Sequence, residues 1–499
     1  MESLQFLIDG FAVACQPVKL LYCFVGVLWG TIVGILPGLG PLAGMTLLLP
    51  LTFKLDPASA IIMLAGIFYG AMYGGSLTSI LVRIPGEAAS VITCIDGYEM
   101  ARKGRAGPAL AIAAIGSWFG GVASVVGLML FAPPMAEAML KIGPPAEFVL
   151  MLLALIVMSF VSSSPPLKTI AMILMGLAIA TVGMDPITGF ARFTYGNLRL
   201  ADGLSFVAIA LGLFGVSEIL LNLEEATEMK AIRPTLRSLL PSKEEWSASA
   251  PAVGRGTVIG FLFGMVPGVS HIISTFVSYA VERRVSKHPE RFGKGAVEGV
   301  AGPETANNAT TGSAMIPLLV LGIPAIPATA VLLSAMLIHG VQPGPQLLLN
   351  HPDVFWGLIA SMVIGNAILV VLNLPMVPLF VNILRVPYPY LAPSILLISV
   401  IGVYSVNANP LDLWLMLIGG VAGYLLRKFG FDVAPLLLAI VLGDRIELAF
   451  RRSLTISDGH YGIFLEGPAV KVLLISALFL GLLLGLARFF GYRRESAGG

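Results

Sequence analysis

The chain has 499 residues, of which 57% are hydrophobic and 12% are charged, and its formal net charge is +2. Soluble domains carry about 25% charged residues, so the composition excludes an ordinary soluble protein, and the small net charge gives no indication of nucleic-acid binding. The three cysteines show no disulfide or metal-site spacing, and because no basic region precedes the first apolar stretch, we expect no cleaved signal peptide.

Long apolar runs dominate the chain. Asp, Glu, Lys, Arg and His are all absent from residues 20–53, 57–82, 106–136, 305–338 and 354–384. A helix of about 20 apolar residues crosses a bilayer, and continuous rather than alternating runs argue against a membrane β-barrel. The sequence therefore predicts an all-α, polytopic membrane protein.

Two pairs of motifs suggest an internal duplication. The string "GILPGLGP" begins at Gly34, and "GMVPGVSH" begins at Gly264. Each is followed by a second motif, "GGSLTSILVRIPG" from Gly74 and "TGSAMIPLLVLGIPA" from Thr311. Both second motifs run from Gly-Ser through an apolar stretch to Ile-Pro. Because both pairs occur in the same order, they predict two related halves.

The basic residues indicate that the halves are inverted. The loop "KLDPAS" after the first Pro-Gly has one lysine, whereas "ERRVSKHPERFGKG" after the second is strongly basic. The bias reverses after the Ile-Pro motifs, where "YEMARKGRAG" is basic and "HGVQPGPQLLLNHPD" has no Lys or Arg. Lys and Arg concentrate in cytoplasmic loops. Equivalent loops are therefore expected on opposite sides of the membrane, as in the inverted-topology repeats of many secondary transporters.

The Pro-Gly pairs predict re-entrant hairpins. Arg255 and Arg283 bracket the second apolar stretch, which favours a hairpin that enters from the cytoplasm and turns at Pro267-Gly268. Its counterpart, residues 20–53, is expected to enter from the other side and turn at Pro37-Gly38. Proline lacks an amide donor and glycine relaxes the backbone, so such tips and broken helices leave polar backbone groups that lipid does not tolerate. We expect them beside a polar site within the protein.

The predicted organisation is a first repeat over residues 1–221, a polar cytoplasmic linker over 222–253, and a second repeat over 254–499. Simple alternation of spans places Arg451 and Arg452 outside, against the charge bias. The topology of residues 430–467 is therefore left open.

The densest polar cluster within a charge-poor run is "GPETANNATTG", Gly302 to Gly312, and its expected counterpart is "YGGSLTS". Amides and hydroxyls can coordinate Na⁺ or bind a carboxylate, although isolated hydroxyls more often pack between helices. Glu304 is either an intramembrane functional acid or a residue near the cytoplasmic surface. Candidate coupling-ion residues are Asn307, Asn308, Thr311 and Glu304. Candidate substrate-binding residues are Pro37, Gly38, Gly40, Ser76, Thr78, Ser79, Pro85, Gly86, Pro267, Gly268, Asn307, Asn308, Thr310, Thr311 and Pro324.

Other polar residues receive structural interpretations. His271 follows the second tip, Arg83 is expected to reach the membrane surface, and Asp96 and Glu99 resemble ordinary loop charges. The sequence has no Walker loop, no H-E-x-x-H and no G-x-S-x-G, so no enzyme activity is expected. A gated channel for organic anions and a membrane-embedded enzyme using Glu304 or His271 remain as alternatives.

The motifs carry a resemblance. The stretch from "GILPGLGPLAGMTLLLPL" through "YGGSLTSILVRIPGEAASVITCIDGYEMARKGRAGPAL", together with "GVAGPETANNATTGSAMIPLLVLGIPA" and "PLLLAIVLGDRIELAFRRSLTISDG", resembles the large membrane subunit of the tripartite tricarboxylate transporters.

This resemblance implies a permease of the bacterial inner membrane that works with a small membrane subunit and a periplasmic solute-binding protein. It also implies uptake of tricarboxylates or other organic carboxylates driven by Na⁺ or H⁺, without a cofactor. The re-entrant hairpins favour an elevator form of alternating access.

Overall fold

The computed structural model describes residues 2–36, 39–162, 164–224, 232, 239–266, 271–383 and 388–476. Over these residues the chain is almost entirely helical, and a strand pair, β1 (Gly183–Met184) with β2 (Ala191–Arg192), interrupts it. In the first part of the chain the α-helices are α1 (Glu2–Ala14), α2 (Pro17–Ile35), α3 (Gly40–Leu48), α4 (Pro57–Val82), α5 (Thr93–Met100), α6 (Ala106–Met139), α7 (Pro144–Val161), α8 (Pro166–Ala180), α9 (Phe206–Ala210) and α10 (Ser217–Glu224).

The second part continues with ten further α-helices among the described residues. They are α11 (Lys243–Gly264), α12 (His271–Val285), α13 (Glu298–Ser313), α14 (Pro327–Ile338), α15 (Leu347–Asn350), α16 (Pro352–Asn373), α17 (Val377–Ile383), α18 (Tyr388–Asn407), α19 (Pro410–Lys428) and α20 (Ala434–Ile456). Proline is the first residue of α2, α4, α7, α8, α14, α16 and α19. Its missing amide is harmless there, because the first amides of a helix have no intrahelical partner.

Four of the five charge-free runs contain most of a helix of membrane-spanning length, and the run 305–338 does not. Within the described residues, six are long and apolar enough to cross a bilayer: Pro17–Ile35, Pro57–Val82, Thr93–Met139, Phe206–Glu224, Pro352–Asn373 and Pro410–Lys428. The predicted all-α, multi-pass membrane protein is therefore confirmed. The stretch Thr93–Met139 includes a π-helical turn, Ala101–Arg105, in which Gly104 has φ +80°.

The described chain divides into two compact units. One contains Met1–Ala136 and Ser205–Phe429, and the other contains Glu137–Leu204 and Gly430–Gly499. This division differs from the predicted repeats, since each predicted half contributes to both units. The residues assigned to the linker also include the start of α11, where Ser242 and Glu245 form a capping box. The boundaries of the two repeats stay a prediction.

The helices that flank each Pro-Gly pair fold back on one another. In the first hairpin, α2–α3, the Trp29 indole donates to the carbonyl of Gly44 at 3.2 Å. In the second hairpin, α11–α12, the Arg255 guanidinium binds the Glu282 carboxylate at 2.5 and 2.8 Å. These contacts fit the predicted hairpins. Pro37, Gly38, Pro267 and Gly268, the predicted tips, lie outside the described residues.

Glycines let each hairpin pack closely on a neighbouring helix. A Cβ added to Gly26, Gly30 or Gly34 of α2 would lie 2.2–2.4 Å from the carbonyl oxygens of Met63, Ile67 and Ala71 in α4. A Cβ on Gly256 or Gly260 of α11 would lie 2.3 or 2.2 Å from the carbonyl oxygens of Gly302 and Ala306 in α13. The same spacing of glycines therefore serves both hairpins, which is the close backbone approach typical of membrane helices.

This packing also aligns the two halves. In the first hairpin, Gly26 and Gly30 pack on Met63 and Ile67 of α4. In the second hairpin, Gly256 and Gly260 pack on Gly302 and Ala306 of α13. By these contacts α13 occupies the position that α4 has in the first half. The polar segment that begins at Gly302 thus corresponds to the apolar segment that begins at Met63. This packing register differs from the sequence pairing of the cluster with "YGGSLTS", which rested on the shared Gly-Ser.

Two breaks with the same backbone conformation follow these helices. The first break is residues 83–87 and the second is residues 322–326. Arg83 (φ 64°, ψ 23°) and Gly322 (φ 68°, ψ 24°) are both left-handed. Four residues later, Glu87 (φ −146°, ψ 163°) and Ile326 (φ −147°, ψ 163°) are both extended. This similarity is expected of duplicated segments. The inversion of the halves and the membrane side of each hairpin stay predictions.

Asp96 differs from the expected loop charge, because it is buried. Its carboxylate accepts hydrogen bonds from the Tyr279 hydroxyl at 2.8 Å and from the amides of Gly293, Gly295 and Ala296 at 3.1, 2.6 and 2.8 Å. The loop before α13 is thereby attached to α5. Glu99 also differs from the expected loop charge, because it lies within α5, where it pairs with the exposed Arg102 at 3.4 Å.

In the second unit, ion pairs explain the unexpected basic residues near 451. Arg451 binds Asp185 at 2.7 Å and Glu447 at 3.0 Å, and Arg192 binds Glu447 at 2.8 Å. The Thr188 amide and the Arg451 guanidinium lower the pKa of Asp185. Arg451 is thus neutralised by carboxylates, so it says little about which side of the membrane it occupies.

Candidate functional site

The centre of the candidate site is α13, a polar helix that is buried on all sides. Every residue from Gly299 to Ser313 is buried. The hydroxyls of Thr305, Thr310, Thr311 and Ser313 donate to the carbonyls one turn earlier, at 2.7–3.0 Å. This back-bonding satisfies the hydroxyls within the helix. The small side chains also allow α11 to approach, so the hydroxyls of α13 serve helix packing in large part.

Glu304 is buried inside the protein. Its side chain is 1% exposed. Ser76 of α4 donates to Glu304 Oε2 at 2.5 Å, and Thr93 of α5 donates to Oε1. Ser117 of α6 reaches the Glu304 carbonyl oxygen at 3.4 Å. The sequence predicted that Ser76 and Glu304 belong to one site, and the structure places them in direct contact.

Asn307 connects α13 to the first break. Its amide nitrogen donates to Glu87 Oε1 at 3.1 Å. The other carboxylate oxygen of Glu87 accepts the Ala89 amide at 2.7 Å, which caps the short 3₁₀ helix Ala88–Val91. Glu87 and Thr93 were not among the predicted site residues. The one signal for Glu87 was its position directly after Ile-Pro-Gly, whereas nothing in the local sequence marked Thr93.

Two acceptor oxygens on α13 have no partner among the described residues. Asn307 Oδ1 and Asn308 Oδ1 are both buried without a hydrogen bond. Leaving a polar group buried and unsatisfied costs about 1–3 kcal/mol. Asn308 uses its amide nitrogen to bind the Glu304 carbonyl at 3.2 Å, so its oxygen remains available. These oxygens are ready to accept a donor or to coordinate a cation.

Thr310 and Thr311 face the second hairpin. The Thr310 hydroxyl oxygen also lies 3.1 Å from the Gly260 carbonyl oxygen and 2.8 Å from the Ser274 hydroxyl oxygen. The Thr311 hydroxyl lies 3.1 Å from His271 Nε2. His271 is buried, and its ring packs edge-on against Phe68 at 5.8 Å. The hydroxyls therefore join α13 to the hairpin, and His271 has the structural surroundings expected from the sequence.

The remaining predicted residues support the first break or lie apart from α13. Thr78 donates to the Gly75 carbonyl at 3.0 Å, and Ser79 donates to the Ser90 hydroxyl at 2.9 Å. Gly86 packs so closely on α2 that an added Cβ would lie 2.0 Å from the Gly34 carbonyl oxygen. Gly40 has φ +60° at the start of α3, with open space around it.

The prolines of the breaks differ in burial. Pro324 of the second break is buried, and Pro85 of the first is half-buried. Arg83 is exposed at the end of α4, with its guanidinium 5.7 Å from the Tyr98 ring centre. Such an exposed position fits the expected reach toward the membrane surface.

A small cavity is lined in part by residues that bond to Glu304. Its lining includes Tyr73 and Ser76 of α4, Ser117 of α6, and Asn373 of α16. Ser76 and Ser117 both bond to Glu304, so the cavity reaches the partners of that residue. Asn373 Oδ1 is another buried oxygen without a partner among the described residues. The cavity is therefore a mixed one, because Leu77, Leu110, Ala113 and Ala114 also line it.

Comparison with known proteins identifies the family. The model of the tripartite tricarboxylate transporter TctA family matches residues 20–438. The chain is 47% identical over 478 residues to an uncharacterized 52.8 kDa protein in the TAR-I ttuC' 3' region of Agrobacterium vitis, covering 96% of this chain and 95% of that protein. It is also 47% identical over 215 residues to an uncharacterized protein in the TAR-II ttuC' 3' region of that organism, covering 43% and 89%.

No solved structure matches the chain. The family match nevertheless spans most of the sequence, and the second motif of each half lies within it. The chain therefore belongs to the TctA family, the membrane component of tripartite tricarboxylate transporters, and is a transporter component rather than an enzyme.

Proposed function

We propose that this chain is the permease of a binding-protein-dependent secondary transporter that imports tricarboxylates or other organic carboxylates together with a cation, Na⁺ or H⁺. The observation that carries the proposal is the pair of buried amide oxygens on α13 that have no partner among the described residues, with Asn307 bonded to the Glu87 carboxylate of the first break. Polar groups of this kind at a broken helix are typical of substrate and ion sites in secondary transporters.

The tripartite family supplies the expected partners. A periplasmic solute-binding protein delivers the carboxylate, and a small membrane subunit completes the permease in the bacterial inner membrane. The anion meets the positive N-terminal end of α14, which follows the second break. The cation offsets negative charge on the substrate, which is costly to move through hydrocarbon.

Separate alanine variants of Asn307 and Asn308 test the site. Each change removes a buried amide, and we expect the half-saturating concentration of carboxylate or cation to rise about tenfold, equivalent to about 1.4 kcal/mol. Uptake is measured in vesicles that contain the partner subunits, with a series of carboxylates under separate Na⁺ and pH gradients. This assay also shows which gradient drives accumulation.

Asn366→Ala is the matched control. Asn366 is equally buried, but its oxygen accepts from Tyr73 at 3.1 Å and its nitrogen donates to the Met362 carbonyl at 2.7 Å. Its loss should lower stability while leaving both half-saturating concentrations unchanged. If the Asn307 and Asn308 variants behave like this control, the two amides serve packing only.

We further propose that the hairpins move as part of an elevator. The rings of Phe131 in α6 and Phe261 in α11 lie 5.7 Å apart, so a reducible crosslinker between cysteines at these positions would tie the second hairpin to α6. In a background that lacks Cys15, Cys23 and Cys94, crosslinking should abolish uptake, and reduction should restore it. Full uptake by the crosslinked protein would exclude movement between these helices.

A further inference from the structure

We propose that Glu304 and Glu87, together with the side-chain oxygens of Asn307 and Asn308, form a sodium site that joins the two halves of the protein. This inference rests on the proposed function, because the bound Na⁺ would be the coupling ion. It adds Glu87 of the first break to the predicted coupling residues, and it places Thr311 outside the site, since that hydroxyl is engaged with Asn307 and His271.

The two carboxylates lack a counter-charge among the described residues. Glu304 is fully buried and Glu87 is partly buried. Within the described residues, neither forms an ion pair with a Lys, Arg or His, whereas the buried Glu282 is paired with Arg255 at 2.5 Å. A buried charge without a counter-charge is strongly destabilising. A cation between these carboxylates would supply the missing charge.

The two asparagine side chains of α13 bring unpartnered oxygens to the same region. Asn307 is 1% exposed, and its nitrogen already binds Glu87. Because the oxygen and nitrogen of an amide share one carbon, the unpartnered Asn307 Oδ1 also lies beside that carboxylate. Asn308, equally buried, is held by the backbone carbonyl of Glu304 and keeps its oxygen free. Two neutral acceptors thus accompany two carboxylates.

The chemistry of these oxygen ligands indicates which ion would bind. Carboxylate and amide oxygens are ligands for hard cations. The described residues contain no group of three or more His, Cys, Asp or Glu side chains that could hold a metal ion, which disfavours a transition-metal site. A proton on Glu304 would leave the side-chain oxygens of Asn307 and Asn308 unpartnered, whereas a sodium ion can be coordinated by such oxygens. Sodium therefore fits better than a proton.

The proposed ligands come from both halves of the chain, so ion binding would be coupled to the contact between them. Glu87 caps the helix that follows the first break, and Glu304 and the asparagines belong to α13 of the other half. An ion shared by these residues would bind tightly only when the break and α13 are in contact. Ion binding would thereby favour one arrangement of the two halves, as coupled transport requires.

The test is a titration of the purified full-length protein with NaCl, with choline chloride keeping the ionic strength constant, followed by thermal unfolding. A ligand that binds only the folded protein raises its melting temperature in a saturable way. We expect saturable stabilisation by Na⁺. Glu304→Gln and Glu87→Gln should each raise the half-saturating Na⁺ concentration about tenfold or more, because charged ligands contribute more than neutral ones.

Glu282→Gln is the matched control, since it removes a buried carboxylate that Arg255 already neutralises. It should lower the melting temperature yet leave the half-saturating Na⁺ concentration unchanged. Should Glu304→Gln fail to fold, Glu87→Gln decides alone, because Glu87 is only partly buried. An unchanged Na⁺ response in the glutamine variants overturns the site, and so does a wild-type protein that responds to pH but not to Na⁺.

Uptake measured in parallel separates this inference from the proposed function. Carboxylate accumulation driven by a pH gradient, without any Na⁺ response, would leave the proposed function standing and remove the sodium site. Saturable Na⁺ binding that depends on Glu304 and Glu87, without uptake of any carboxylate, would keep the site and reject the proposed substrate class.

Discussion

Asp96→Ala is expected to destabilise the folded protein by about 3–5 kcal/mol, because several buried donors lose their acceptor and each unsatisfied polar group costs about 1–3 kcal/mol. The Asp96 carboxylate accepts four hydrogen bonds, from the Tyr279 hydroxyl and the amides of Gly293, Gly295 and Ala296. Alanine would leave those donors without their acceptor. Because the three amides lie just before α13, the loss should be greatest at the start of that helix.

The measurement is chemical or thermal unfolding in detergent, combined with hydrogen exchange of residues 286–297. Amides there should lose protection in the variant. Glu99→Ala is the control on the same helix, because Glu99 pairs with the exposed Arg102 at 3.4 Å, and it should cost about 1 kcal/mol or less. Equal losses in the two variants would contradict the anchoring role of Asp96.

Gly260→Ala should destabilise the second hairpin by about 2–3 kcal/mol, as expected when a tightly packed contact is overfilled. The new Cβ would lie 2.2 Å from the Ala306 carbonyl oxygen and 2.8 Å from the Ala309 side chain. Both helices would have to separate, because backbone cannot turn away as a flexible side chain does. The separation would also disturb the contact of Thr310 with the Gly260 carbonyl.

The same helix provides the control. Gly254 has no atom within 4 Å of an added Cβ. Gly254→Ala should therefore be neutral or stabilising by about 0.5–1 kcal/mol, the difference in helix propensity between alanine and glycine. Unfolding of the two variants side by side compares identical chemical changes. If Gly260→Ala were as stable as Gly254→Ala, close packing of α11 on α13 would be refuted.

The apolar sequence was sufficient to predict helices, their membrane-spanning length and the two duplicated motifs. Each of these depends on neighbouring residues along the chain: runs without charge, proline at the first turn, and glycines one turn apart in α2 and α11. The polar cluster on α13 was also recognisable, because amides and a carboxylate are unusual in a charge-poor run. Local sequence therefore determined the helices and the candidate site residues.

Only the tertiary structure decided which of those residues meet. Glu304 bonds to Ser76 and Thr93, more than two hundred positions away in the chain, and Asn307 bonds to Glu87 over a similar separation. Such contacts depend on the rotation and register of packed helices. The sequence of an apolar helix does not reveal its rotation or register, because its lipid-facing and protein-facing sides are both apolar. For the same reason the correspondence of α13 with α4, the burial of Asp96 and the neutralisation of Arg451 emerged from packing alone.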